Sequence, residues 1–151
     1  MTYHLSSRSL ARLEGVKPEL ASVVQRAIKL SSIDFGVIEG VRSEQRQAEL
    51  VASGASQTMK SRHLTGDAVD LLAYVAGRPC WELQVYDAVA TAVREAALQS
   101  STSIRWGAAW TVPDICDWYG SLEAAMASYI DTRRKAGRRP FLDGPHFELI
   151  G

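Results

Sequence analysis

The stretch Ser61-Arg62-His63-Leu64-Thr65-Gly66-Asp67-Ala68-Val69-Asp70 most constrains the fold, because it runs straight into the apolar segment Leu71, Leu72, Ala73, Tyr74 and Val75. An apolar run of that length, bounded by turn residues, reads as a buried strand over 68–75. Asp70, near its start, then sits on a rigid support, and His63 lies across a Gly66 turn that can fold back toward it. A second piece, Asp143-Gly144-Pro145-His146-Phe147-Glu148-Leu149, carries similar residue types near the C-terminus. It reads as a tight turn and a last strand over 146–150, with His146 and Glu148 facing one way and Phe147 and Leu149 the other. That strand can lie beside the first.

The remaining elements frame these two. Ser6 or Ser7 caps a short helix marked by Leu10 and Leu13 and stopped by Gly15. Pro18 opens a second helix, with Leu20, Val23, Val24, Ala27 and Ile28 on one face. Residues 35–41 read as a strand. Ser43 caps a helix through Gln47, Leu50 and Val51 that ends at Gly54, which leaves Arg42 at a strand-to-helix junction. Residues 55–67 read as a loop ending at Gly66, and Gly77-Arg78-Pro79 as a turn. A helix over 81–98 turns Val85, Val89, Ala92, Val93 and Ala96 inward. A short strand follows over 103–106, then an irregular aromatic segment over 107–120. Ser121 caps an amphipathic helix whose Leu122, Ala125, Met126, Tyr129 and Ile130 share a face; Gly137 and Pro140 end it. Helices and strands mix without a βαβ rhythm. The expected class is therefore α+β, a small, largely antiparallel sheet flanked by helices, as one domain over 1–151.

Composition closes off several functions. The chain has 151 residues, 46% hydrophobic, enough for a real core. Lys+Arg and Asp+Glu balance at 17 each, which argues against a nucleic-acid partner. Arg133, Arg134, Lys135, Arg138 and Arg139 form one local basic cluster. Cys80 and Cys116 are too few for a disulfide framework and could pair or stay free. The N-terminus lacks a basic segment followed by an apolar one, and no apolar run approaches the ~20 residues of a membrane span. A soluble chain made in the cytoplasm is the expectation.

The chemistry turns on three histidines, His4, His63 and His146, two of which stand in compact motifs beside carboxylates. His63, Asp70 and His146 offer the two nitrogens and one oxygen of a catalytic zinc site with an open position. Asp143, three residues before His146, would act as general base on the water that the zinc activates. Arg42 would help to stabilise the oxyanion. Each residue also has a plainer reading: His63 as a surface-loop histidine, His146 as a hydrogen-bonded core residue, Asp70 as a turn cap, Asp143 as a turn residue, Arg42 as a solvated charge.

The pattern Ser61-x-His63-x-x-Gly66-x-Ala68-x-Asp70 with a distant Asp143-x-x-His146 resembles the signature of the M15 zinc peptidases. That family includes D-Ala-D-Ala dipeptidases and carboxypeptidases and the L-alanyl-D-glutamate endopeptidases of phage lysis. Glu39-Gly40-Val41-Arg42-Ser43-x-x-x-Gln47 and Ile104-x-Trp106-Gly107 extend the resemblance over most of 6–107 and again over 139–149. It implies the D-Ala-D-Ala carboxypeptidase/Hedgehog-like fold and one zinc ion held by His63, Asp70 and His146. It further implies Asp143 as the acidic catalytic residue, Arg42 beside the scissile carbonyl, and Ser61 supporting the site from behind. Where many relatives read Trp-Gly-Gly-Asp-Trp, this chain has Trp106-Gly107-Ala108-Ala109-Trp110, and 111–137 looks like an insertion. The aromatics there could line the cleft or bind glycan; packing of the amphipathic helix on the domain is the plainer reading. The resemblance implies a monomeric endolysin that cuts the L-alanyl-D-glutamate bond of the peptidoglycan stem peptide. It would wait in the host cytoplasm for holin-mediated release to the periplasm and cell wall. A D,D-carboxypeptidase or dipeptidase on the same scaffold, or a metal-stabilised wall-binding domain without catalysis, are the alternatives. Truncation before Asp143 is expected to leave residues 61–70 intact and to remove activity.

Overall fold

A computed structural model describes residues 2–150. In chain order the elements are α1 (Ser7–Arg12), α2 (Pro18–Leu30), β1 (Asp34–Glu39), α3 (Glu44–Ala52), β2 (Ala68–Val75), β3 (Arg78–Cys80), α4 (Leu83–Gln99), β4 (Ile104–Trp106), α5 (Leu122–Lys135) and β5 (His146–Leu149). Short 3-10 turns cover Arg62–Thr65 and Ile115–Asp117. Among the described residues, five strands form one sheet in the order β1-β2-β5-β4, with β3 on β2, and every pairing is antiparallel. The expected α+β class with a small antiparallel sheet is what forms.

Strand β2 is the sheet's organiser. One edge pairs with β1 along most of its length. Along the other, its first half pairs with β5 and its second half with β3. Period-two alternation then gives the sheet two different faces. Phe35 and Val37, Val69, Leu71 and Ala73, Ile104 and Trp106, and Phe147 and Leu149 point into the core. Asp70, Arg105, His146 and Glu148 project from the opposite face, into a cavity.

The core face is closed by α2 and α4, which pack against each other. All five α2 residues expected inward are buried, as are Val89, Ala92, Val93 and Ala96 of α4; Val85 is half-buried. Helix α5 lies against α4 and buries Leu122, Ala125 and Tyr129. Met126 and Ile130 are half-buried, so the helix's apolar face packs on the domain. Ser6, Ser43 and Ser121 cap their helices through backbone N–H groups of Ser9, Arg46 and Ala124.

Several boundaries differ from expectation. Strand β1 runs Asp34–Glu39, ending before the expected Val41, with a register slip between Val37 and Glu39. Of the turn expected at Gly77-Arg78-Pro79, Gly77 lies in a turn at φ 74°, whereas Arg78 and Pro79 already belong to β3. Pro79 is tolerated there because β3 pairs with β2 alone, so the missing N–H faces no ladder partner on the outer side. Helix α4 begins at Leu83, leaving Trp81 exposed. In α1, Leu10 faces solvent, and buried Ser9 instead accepts a hydrogen bond from Val37 N–H at 3.0 Å. The stretch read as a loop before Gly66 contains a 3-10 turn. Cys80 and Cys116 are both free thiols. Among the described residues no helix is long and apolar enough to cross a membrane.

Candidate metal centre

Register assembles the site. Asp70 on β2 lies directly across from His146 on β5, and from Glu39 on β1. Directly paired residues project side by side on one face. His63 reaches the same point from the 3-10 turn. Ser61 Oγ caps that turn by accepting from His63 N–H at 3.2 Å. Gly66 closes it in the left-handed region at φ 78°. A Cβ at Gly66 would stand 2.5 Å from the Gly15 carbonyl oxygen, so the residue meets both a conformational and a steric demand for glycine.

The three expected ligands converge. His63 Nε2 and His146 Nδ1 each lie 3.2 Å from Asp70 Oδ1. The three residues offer ligand atoms that all fall within 4.8 Å of one another, a donor set of two imidazoles and a carboxylate. Two nitrogens and one oxygen suit a borderline divalent ion such as zinc. His4 is exposed and stands apart from this group.

The ring nitrogens that face away from the centre are held too. His63 Nδ1–H donates to the Gly40 carbonyl at 2.8 Å. His146 Nε2–H donates to Glu148 Oε1 at 2.8 Å, and Arg62 Nε holds Glu148 Oε2 at 3.1 Å. These bonds fix both rings so that His63 Nε2 and His146 Nδ1 face Asp70, the two nitrogens that a metal would take on displacing their protons. Neither partner was assigned from sequence. The signal for Glu148 was its alternation with His146 along one strand; for Gly40 there was none, because a carbonyl carries no residue-type signature.

Electrostatics separates the carboxyls. Burial opposes ionisation of Asp70, but hydrogen bonds and charge from His146 and His63 outweigh it and hold the carboxyl well below its ordinary range. Burial alone would depress the His146 imidazolium; hydrogen bonds to Asp70 and Glu148 overcome this and push it up to about 10. Asp143 moves the other way. Burial, then the negative charge of Asp70, raises it to about 6. The Asp143 turn is pinned by His146 N–H to the Asp143 carbonyl at 3.0 Å and by Asp143 N–H to the Gly107 carbonyl at 2.9 Å. A Cβ on Gly107 would stand 2.4 Å from the Asp143 carbonyl oxygen, so only glycine lets β4 approach this closely.

Arg42 is brought to the same place and is firmly held. It grips Glu39 through Nε at 2.5 Å and Nη2 at 2.9 Å, and donates to Gln47 Oε1 at 2.7 Å. Its Nη2 stands 3.5 Å from Asp70 Oδ2, and its Nη1 3.5 Å from Ser61 Oγ. Gln47, wholly buried, passes the network on to Ser56 Oγ at 2.8 Å and to the Thr58 carbonyl. The aromatic segment divides: Trp106 is in the core, Tyr119 is almost fully exposed, and Trp110 lines the cavity with its ring 5.4 Å from that of His146.

Comparison with known proteins shows the family. The model of the phage L-alanyl-D-glutamate peptidase family matches residues 1–150. The L-alanyl-D-glutamate peptidase of Escherichia phage T5 is 32% identical over 99% of this chain and 100% of its own length. That of Listeria phage A118 is 31% identical over 74% of this chain, a match covering 40% of the longer relative. The crystal structure of the Serratia marcescens L-Ala D-Glu endopeptidase ChiX superposes with a TM-score of 0.71, at 38% identity over 95% of this chain and 86% of that one. Matched along residues 1–150 and by a relative of the same length, and with two imidazoles and one carboxylate gathered beside the half-buried Asp143, the chain belongs to the phage L-alanyl-D-glutamate peptidase family.

Proposed function

We propose that this protein is a zinc-dependent peptidase that hydrolyses the L-alanyl-D-glutamate bond of the peptidoglycan stem peptide, and that it serves as a phage endolysin. The observation that carries the reading is the convergence of His63 Nε2, Asp70 Oδ1 and His146 Nδ1, with each outward-facing ring nitrogen already hydrogen-bonded. His63, Asp70 and His146 would hold the ion. Bound there, zinc supplies a Lewis acid that brings the pKa of water toward ~7 and polarises a carbonyl.

The protein's own residues do the rest. Asp143 takes the proton of the attacking water and delivers it to the departing D-glutamyl amine. A carboxyl near 6 is mostly ionised at neutral pH and so can accept the proton, and its raised pKa lets it hold and return that proton. Arg42, fixed by Glu39 and Gln47, contributes a preorganised positive charge beside the scissile carbonyl. Ser61 keeps the His63 turn in place through its cap. The same reading puts the enzyme in the host cytoplasm until the membrane is opened, and at the wall thereafter.

Digestion of purified peptidoglycan, with and without a chelator, tests the reaction. Mass spectrometry should find new L-alanine carboxyl ends that disappear with the chelator. Release of terminal D-alanine instead would assign the chain to carboxypeptidase chemistry, and chelator-insensitive cleavage would remove the metal. Asp143→Ala should lower kcat by roughly a hundredfold or more while zinc stays bound, as read by elemental analysis. Normal turnover by that variant would end the proposed role of Asp143.

A further inference from the structure

The cavity around the site is about 860 Å³ and its wall carries more positive charge than the site itself neutralises. Arg42 is met by Glu39, and Arg62 by Glu148. Arg105 and Arg133 line the same cavity and differ from both: among the described residues, each spends its hydrogen bonds on a backbone carbonyl and none on a carboxylate. Arg105 donates to the Trp110 carbonyl, with Nε at 3.1 Å. Arg133 donates to the Arg139 carbonyl, with Nε at 3.3 Å and Nη2 at 3.0 Å. A guanidinium has five N–H donors, so both keep donors and a full charge to spare.

Their placement is specific. Arg105 projects from β4 on the site face, and its guanidinium lies over the Trp110 ring at 5.2 Å. The same ring lies beside the ligand His146. Arg105 is therefore one aromatic ring away from the metal centre. Both arginines are half-buried, where a charge interaction is less screened than at the open surface.

We propose that Arg105 and Arg133 form a carboxylate-binding subsite for the D-glutamyl side of the substrate. The inference rests on the L-alanyl-D-glutamate reading above. A D-glutamate whose amine is in the scissile bond has two carboxyl groups, and onward linkage consumes at most one. Unless it is amidated, at least one carboxylate therefore flanks the bond on the leaving side. The planar guanidinium fork matches it in a way that a lysine would not.

The test uses two synthetic peptides that differ only in the free carboxyl of the D-glutamyl residue, present as the acid or as the amide. Steady-state kinetics is measured for the wild type, Arg105→Gln and Arg133→Gln, together with zinc affinity. The wild type should prefer the acid by roughly tenfold to a hundredfold in kcat/KM, expressed in KM. At least one variant should erase that preference with kcat and zinc affinity unchanged. A role confined to propping Trp110 against His146 would instead lower kcat or zinc affinity, and would do so for both peptides alike. That result, or an undiminished preference in both variants, overturns the subsite. If the wild type cleaves neither peptide, the proposed reaction falls. The subsite is then judged by equilibrium binding of the same two peptides, and equal affinities across the three proteins overturn it as well.

Discussion

At the scale of single residues, Glu148 decides which nitrogen of His146 faces the centre. Its carboxylate accepts a hydrogen bond from Nε2–H at 2.8 Å and is itself held by Arg62. Without it the imidazole would be free to rotate or to change tautomer, and Nδ1 would no longer be presented reliably. Removing such a supporting carboxylate costs ~10–100-fold in metal affinity in comparable sites. Glu148→Ala should therefore weaken zinc binding by about that factor in a chelator competition, with the fold retained; an unchanged affinity would refute the orienting role. The two aspartates of the site show how environment assigns work to one residue type. Asp70 sits between two imidazoles and stays ionised, fit to be a ligand. Asp143 sits in a half-buried turn within reach of the Asp70 charge, and its raised pKa makes it a better base near neutral pH.

At the scale of elements, the Gly66 turn and strand β2 form one device, in which the turn aims His63 and the strand carries Asp70. Gly66→Ala must place a Cβ 2.5 Å from the Gly15 carbonyl oxygen at φ 78°. The expected cost is about 1–3 kcal/mol of stability, visible in urea melts, together with weaker zinc binding as His63 shifts. A variant with wild-type values in both would show the turn to be tolerant. Helix α4 carries a different strain. Asp87 has a buried Oδ1 with no hydrogen-bond partner among the described residues, and desolvation, then the charge of Glu123, raises its carboxyl to about 6 from 3.8. A raised folded pKa means that the protonated form is favoured by folding. Its contribution is complete below 3.8 and is lost as pH rises through about 6. Asp87→Asn should thus gain about 1 kcal/mol at pH ~7.5, discounted for solvent screening, and nothing at pH ~3.5. A Tm difference that does not shrink on acidification would contradict this. These elements also show where sequence was legible. Strand 68–75 was, to the residue, because an apolar run between turn signals has few other readings. Strand β3 was not, because Pro79 after Gly77 carries the local signature of a turn, and only pairing with β2 makes it a strand. His63, Asp70 and His146 were legible as residue types in compact motifs. Glu148 and the Gly40 carbonyl were not assigned, because their roles exist only once β5 lies beside β2 and the His63 turn reaches Gly40.

At the scale of the whole molecule, the C-terminal strand is more than the carrier of His146. Strand β5 lies between β2 and β4, so it is interior to the sheet. Phe147 is fully buried and stacks on Trp106 at 6.4 Å, and the Trp106 indole N–H donates to the Gly144 carbonyl at 2.8 Å. A chain cut before Asp143 loses these contacts and the ladder that joins β4 to β2. Residues 61–70 are therefore not expected to survive the cut, contrary to what the motif spacing alone suggests. Truncating a buried Phe costs ~3–5 kcal/mol and a buried Leu ~2–5, so losing Phe147 and Leu149 alone removes much of a typical ~5–15 kcal/mol of stability. Thermal melts of the 1–142 fragment should show no cooperative transition, whereas full-length Asp143→Ala melts cooperatively and is merely inactive. A cooperative melt of the fragment near the full-length Tm would mean that β5 is only docked on an independent fold. The arrangement has a functional consequence: the segment that brings His146 and Asp143 also completes the sheet that presents Asp70. One segment thus completes both the core and the residues that would hold the metal.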